Sequence, residues 1–243
     1  MLVKDSAKKD MAAGIALILV FILWTLLILY VDVQPVGVNE TSIGFAALNV
    51  WFHRLTGVHL TIYTITDWLG LVPVLVCMCF GAVGFVQLIR RRKLFLVDHD
   101  ILLLGLFYIL VIIGYLVFEM IPINYRPILI DGHMEASYPS STTLLVLSVM
   151  PTLKYQIDRR VSYISLRKAA TAFVILFSAF MVIGRAVAGV HWLTDILGSV
   201  FLSAGLFLLY RSAVKLLDRQ SGEIDESEKT DENISSEWES QER

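Results

Sequence analysis

The chain has 243 residues, of which 56% are hydrophobic and only 17% charged, with a mean hydropathy of +0.70. That balance excludes an ordinary soluble domain, and the gathering of apolar residues into long runs points to a polytopic membrane protein. The formal net charge of -2 conceals an asymmetry: ten acids and three bases fall between Asp218 and Arg243, leaving a body with 17 bases against 12 acids. A basic body suits contact with anionic headgroups, and no nucleic-acid partner is expected.

In chain order, residues 1–10 are a charged cytoplasmic N-terminus. The first span is read at Met11–Val31, too long for a cleavable signal peptide. The next 36 residues, Asp32 to Asp67, are a long outer segment containing an apolar helix from Thr41 or Ser42 to Gly57. Its Trp51, Phe52 and Arg54 suit a helix lying in the membrane interface, the alternative being a loop helix packed on the bundle. His53 and His59 read as interfacial polar tips. The second span is Trp68–Leu88, with Cys77 and Cys79 as packing residues. The third is Ile101–Ile121 and the fourth Ser140–Tyr155, short and rich in Ser and Thr. The fifth is Ala169–Ile183 and the sixth Trp192–Leu209. Residues 218–243 form an acidic tail expected to be disordered and cytoplasmic. The expected fold class is therefore all-α: a membrane domain over residues 11–217 with six transmembrane helices and an interfacial helix after the first span.

Lysine and arginine set the orientation. With the N-terminus in the cytoplasm, 14 of the 17 body bases lie on inner segments, and only Arg54, Arg126 and Arg185 lie outside. Three polar islands then share the outer surface: Glu119 to Pro127, Pro139 to Thr142, and Gly184 to Asp195. Together they suggest anion binding and nucleophilic attack. Arg126 and Arg185 can clamp a phosphate with forked hydrogen bonds. Ser140, Ser141 and Thr142 open a helix whose free N–H groups attract anions. His191 can attack phosphorus, with Asp195 holding its other ring nitrogen if both sit on one helix. Each feature also has a plainer reading: a helix cap, arginines snorkelling to headgroups, an interfacial polar pair. Jointly the plain readings weaken, because ionisable groups at membrane depth are costly. No outer carboxylate cluster suggests a metal, and no cofactor is called for.

The pattern R-x-x-x-x-x-H-x-x-x-D at Arg185, His191 and Asp195 resembles the third signature of the type 2 phosphatidic acid phosphatase and haloperoxidase superfamily. Arg126-Pro127 and Pro139-Ser140 stand where its first two signatures, K-x-x-x-x-x-x-R-P and P-S-G-H, would fall. The resemblance implies a membrane lipid phosphate or diphosphate phosphatase that works without metal through a phosphohistidine at His191. It implies Asp195 as the histidine's partner and Arg126, Arg185 and Ser140 as phosphate ligands. Ser141 replaces the second signature's glycine, and Gly184 the serine that opens the third. Glu119 replaces the first signature's lysine, and Thr142 the second signature's histidine, the usual acid for the leaving group. Threonine is far too weak an acid for that task. Three expectations follow: another outer group supplies the proton, His133 first with Glu135 behind it; or the substrate is a diphosphate with a good leaving group; or the site binds a lipid phosphate without turning it over. A transporter and a lipid phosphotransferase are further alternatives. The lipid bilayer and a lipid phosphate are the expected partners, and a bacterial plasma membrane the expected location; the oligomeric state is left open.

Overall fold

The structure, a computed structural model, describes the backbone of residues 2–241 and the side chains of residues 5–221. Among the described residues, eight α-helices follow one another: α1 Leu2–Tyr30, α2 Ala46–Thr56, α3 Leu60–Leu69, α4 Leu71–Arg91, α5 His99–Met120, α6 Ser141–Arg160, α7 Ile164–Ala188 and α8 Leu193–Gln241. No strand occurs among the described residues, only isolated bridges. The side chains of the expected disordered tail lie outside the described residues from position 222 on.

Among the described residues, five helical stretches are long and apolar enough to cross a membrane: Asp5–Tyr30, Leu60–Arg91, His99–Met120, Ile164–Ala188 and Leu193–Ser221. The second of these joins α3 and α4 through Gly70, so it starts earlier than its apolar core suggests. Large apolar side chains such as Leu23, Phe85, Ile112 and Leu176 point outward and stay exposed, as a lipid-facing surface requires. The protein is an integral membrane protein.

The helix read as the fourth span, α6, is 20 residues long but is not among those five. Its position explains its composition. It packs against both α7 and α8, and buries Thr142, Thr143, Ser148, Thr152 and Gln156. A helix surrounded by other helices never faces lipid, so its polar residues cost little once they find partners. Thr152 hydrogen-bonds Tyr108 of α5 at 2.8 Å, and Gln156 donates to the Tyr210 hydroxyl of α8 at 2.6 Å.

The first outer helix begins later than expected, at Ala46. Ile43 pairs with Gln34 through two backbone hydrogen bonds, and Phe45 turns into the left-handed region at φ 48°, so the chain cannot be helical there. The helix is tied to the bundle. Asn49 is fully buried and donates to the Thr194 hydroxyl at 3.0 Å, and His53 Nε2 lies 3.1 Å from the Gly189 carbonyl. These bonds favour the packed loop helix, although Trp51 and Leu55 on its outer face remain exposed.

One end of the bundle collects α2, the C-terminal ends of α1, α5 and α7, and the N-terminal ends of α3, α6 and α8. The other end is held by ion pairs. Asp100, 3% exposed, accepts from Arg159 at 3.2 Å and Arg160 at 2.8 Å, while Asp10 pairs with Arg211 and Lys215. The candidate site lies at the first end.

Candidate active site

Residues 121–140 join α5 to α6, and their backbone folds back on itself. Ser137 N–H donates to the Asn124 carbonyl at 2.9 Å, Arg126 N–H to Glu135 at 3.1 Å, and Ile130 and His133 exchange bonds at the tip. The tip is Asp131-Gly132, with φ 48° and 78°, which suits a two-residue turn with both central residues in the left-handed region. This folding sets Asn124 beside Ser137 and Arg126 beside Glu135. It also carries His133 to the far end of the loop, exposed and away from the cavity described below. His133, expected as the proton donor, thus does not line that cavity.

His191 is 3% exposed and sits just before α8. Its Nδ1 lies 3.1 Å from the Ser137 carbonyl oxygen and 3.1 Å from the Ser137 hydroxyl. A carbonyl only accepts, so Nδ1 carries the proton and Nε2 holds the free lone pair. Nε2 is buried and makes no hydrogen bond. Burial, followed by the neighbouring Arg126 and Arg185 guanidiniums, holds this imidazole well below its ordinary range, against a smaller opposing effect of the Ser137 carbonyl. It is a neutral base facing two cations.

Asp195 does not hold His191 directly. The spacing of four is not helical spacing here, because α8 starts at Leu193 and leaves His191 in the preceding turn. The carboxylate instead accepts the Ser137 hydroxyl, the Trp192 N–H at 2.9 Å and the Asn124 side-chain amide at 3.1 Å. Ser137 thus relays between carboxylate and imidazole. Reaching back from the first turn of α8 to the N–H of Trp192, Asp195 also caps its own helix. Gly189 ends α7 at φ 70°, where a Cβ would lie 2.0 Å from the Gly57 carbonyl oxygen of the α2–α3 turn; only glycine lets the chain pass there to present His191.

Both arginines reach the same place. The Arg126 guanidinium carbon lies 5.8 Å from the Tyr63 ring centre and that of Arg185 lies 4.9 Å from it. Arg126, 8% exposed, pairs with Glu135 at 3.1 Å, leaving Nε and one terminal nitrogen buried without partners. Arg185, 1% exposed, binds Asp67 at 3.1 Å, Thr66 at 3.5 Å and the Thr142 hydroxyl, and its Nε is also unpartnered. Thr142 is thus engaged by Arg185. Ser140 is fully buried and donates to Thr143, while its carbonyl accepts from Ser199 of α8; its hydroxyl fastens the start of α6. Ser141 reaches the cavity. The missing serine at Gly184 has a steric explanation: a Cβ there would lie 2.8 Å from the Thr66 methyl.

A polar cavity of about 210 Å³ is bounded by Tyr115, Phe118, Glu119, Arg126, Glu135, Ala136, Tyr138, Pro139, Ser141 and His191. A second, mostly apolar cavity of about 340 Å³ adjoins it through Tyr115 and Ser141, between α4, α5 and α6, with Asp67 and Thr142 on its wall. Sequence reasoning missed Ser137, Asn124, Tyr63, Thr66 and Asp67. Asn124 lay inside a polar island already singled out; the others carried no signal in the linear pattern. No group of three or more His, Cys, Asp or Glu side chains that could hold a metal ion occurs among the described residues.

Residues 101–218, which hold Arg126, Ser137, Arg185, His191 and Asp195, match the family model of the PAP2 superfamily. That stretch, just under half of the chain, is the part similar to the PAP2 superfamily. Its fold is similar to the crystal structure of the first transmembrane PAP2 type phosphatidylglycerolphosphate phosphatase from Bacillus subtilis, with a TM-score of 0.60 over 86% of this chain and 98% of that one. At 18% identity the likeness is one of fold. Comparison with curated proteins gave no match.

Proposed function

We propose that this protein is a membrane lipid phosphate or diphosphate phosphatase acting through a phosphohistidine, with its site on the outer face of a bacterial plasma membrane. The observation that carries this reading is the buried, unpartnered Nε2 of His191, on a polar cavity beside a guanidinium that also has free donors. The Nδ1 proton is held by Ser137, so the free lone pair is the one presented to phosphorus. Attack forms the N–P bond and expels the leaving oxygen, and water then cleaves the N–P bond. The vacant Nε–H and N–H groups of Arg126 and Arg185 are oriented donors for the charge that builds on the phosphoryl oxygens. Asp195, through Ser137, offsets the positive charge that the imidazole gains. The chemistry uses protein side chains alone.

The adjoining apolar cavity supports a lipid as the substrate: a phosphate in the polar cavity leaves its hydrocarbon stem beside Leu71, Ile112 and Leu145. The charge pattern supports the outer orientation, since the opposite end carries Arg90, Arg91, Arg159, Arg160 and Lys215. A second reading, a lipid-phosphate binder without turnover, is favoured by the pairing of Arg126 with Glu135 and Arg185 with Asp67. Phosphate release from a lipid phosphate by the purified protein, with His191→Ala as control, separates the two. Release that depends on His191 supports the phosphatase; binding without release supports the second reading.

A further inference from the structure

Resting on the phosphatase reading, we propose that Glu119 protonates the leaving oxygen and then acts as the base that activates water. In-line attack places the leaving oxygen opposite Nε2 of His191. His191 lines the polar cavity with its Nε2 buried, so the leaving oxygen points away from the buried side. Two carboxyl groups line the same cavity, Glu119, which is exposed, and Glu135, whose side chain is 40% exposed. The other candidates are elsewhere or occupied. His133 sits at the loop tip, Thr142 is bound by Arg185 outside this cavity, and the Tyr138 hydroxyl is engaged by Thr25 at 2.7 Å. Glu135 is paired with Arg126 at 3.1 Å.

Glu119 has a different setting. The Tyr115 hydroxyl on its own helix is hydrogen-bonded to Glu119 and lies in electrostatic reach of Arg126 and Glu135, and His191 faces the same cavity from the turn before α8. Of the two carboxyl groups lining this cavity, Glu135 is held by Arg126, which leaves Glu119 as the donor. In the first step the P–O bond breaks, its electron pair stays on oxygen, and the Glu119 proton completes the alcohol. In the second step the Glu119 carboxylate takes a proton from water as the water oxygen attacks phosphorus. The N–P bond breaks, the lone pair returns to Nε2, inorganic phosphate leaves, and Glu119 is protonated again. Charge reversal at the first-signature position and loss of the second-signature histidine then have one explanation: the acid has moved from α6 to the end of α5.

The test compares wild-type, Glu119→Gln and Glu119→Asp proteins, full-length in detergent micelles, on a long-chain alkyl phosphate and on p-nitrophenyl phosphate. An alkoxide needs protonation to leave and a nitrophenolate does not. Glu119→Gln should lower kcat/KM for the alkyl ester by ~10²–10⁴-fold and for the aryl ester by less than ~10-fold. Glu119→Asp should recover part of the alkyl activity. An equal loss on both esters, or no loss on the alkyl ester, would overturn the proposal. No phosphate release by the wild type, or release that survives His191→Ala, would overturn the phosphatase reading itself and this proposal with it.

Discussion

Replacing Ser137 with alanine removes one hydroxyl and distinguishes a relayed histidine–aspartate pair from a direct one. In the structure that hydroxyl donates to Asp195 and lies 3.1 Å from His191 Nδ1, while the Ser137 carbonyl, also 3.1 Å from Nδ1, is untouched by the change. The tautomer is therefore retained, and the nucleophile still presents Nε2. What is lost is the connection between the carboxylate and the charge that develops on the ring. A hydrogen bond to a charged group contributes about 1.5–3 kcal/mol. With ~2 kcal/mol of that realised only when the imidazole becomes charged, kcat falls by about 30-fold. KM changes little, because Arg126 and Arg185 are unaltered. Asp195 keeps its bonds to Asn124 and to the Trp192 N–H, so the protein stays folded, destabilised by about 1–3 kcal/mol. Steady-state kinetics on a lipid phosphate, with thermal unfolding followed in the same micelles, measures both effects. An unchanged kcat would refute the relay, and a rise in KM at constant kcat would place Ser137 in binding.

The low affinity of His191 for protons has a pH consequence. Its neutral form is favoured in the folded protein relative to the ordinary value of 6.5, so the unfolded chain binds more protons below that pH. This group's contribution to stability is present above pH 6.5 and declines as the pH falls below it. The acid limb of kcat/KM should correspondingly lie below pH 6.5; an acid limb at or above that value would contradict the assignment of the buried imidazole as nucleophile. Gly198 tests the packing behind the site: a Cβ there would lie 2.4 Å from the Tyr138 ring, so Gly198→Ala should cost about 1–3 kcal/mol in stability. Thermal unfolding unchanged from wild type would show that the ring has room to move.

The helices were legible because bilayer-spanning segments must be apolar on any side that meets lipid. The same rule hides a helix that meets none, and α6, with Thr143, Ser148 and Gln156 turned inward, is that case. Arg185, His191 and Asp195 were legible as a spaced pattern, yet their geometry was not. The pattern fixes separation along the chain but not where α8 begins, and that boundary decides whether His191 and Asp195 can touch. Ser137 and Asp67 were invisible for a simpler reason. Each acquires its role from a residue more than 50 positions away, Ser137 from Asp195 and Asp67 from Arg185. His133 is singled out by its place between the first two signatures, but the Asp131-Gly132 turn beside it, which sets it at the loop tip, has no mark in that spacing.

The central claim is a covalent bond between phosphorus and Nε2 of His191. The direct measurement incubates the purified protein with a ³²P-labelled lipid phosphate, quenches it during turnover with alkaline denaturant, and maps the label by mass spectrometry. The account predicts a phosphoryl group on His191 that is stable to alkali, labile to acid and missing from His191→Ala. Label on a serine or threonine instead, or turnover with no trapped adduct under conditions where rapid quenching resolves the first cycle, would contradict it.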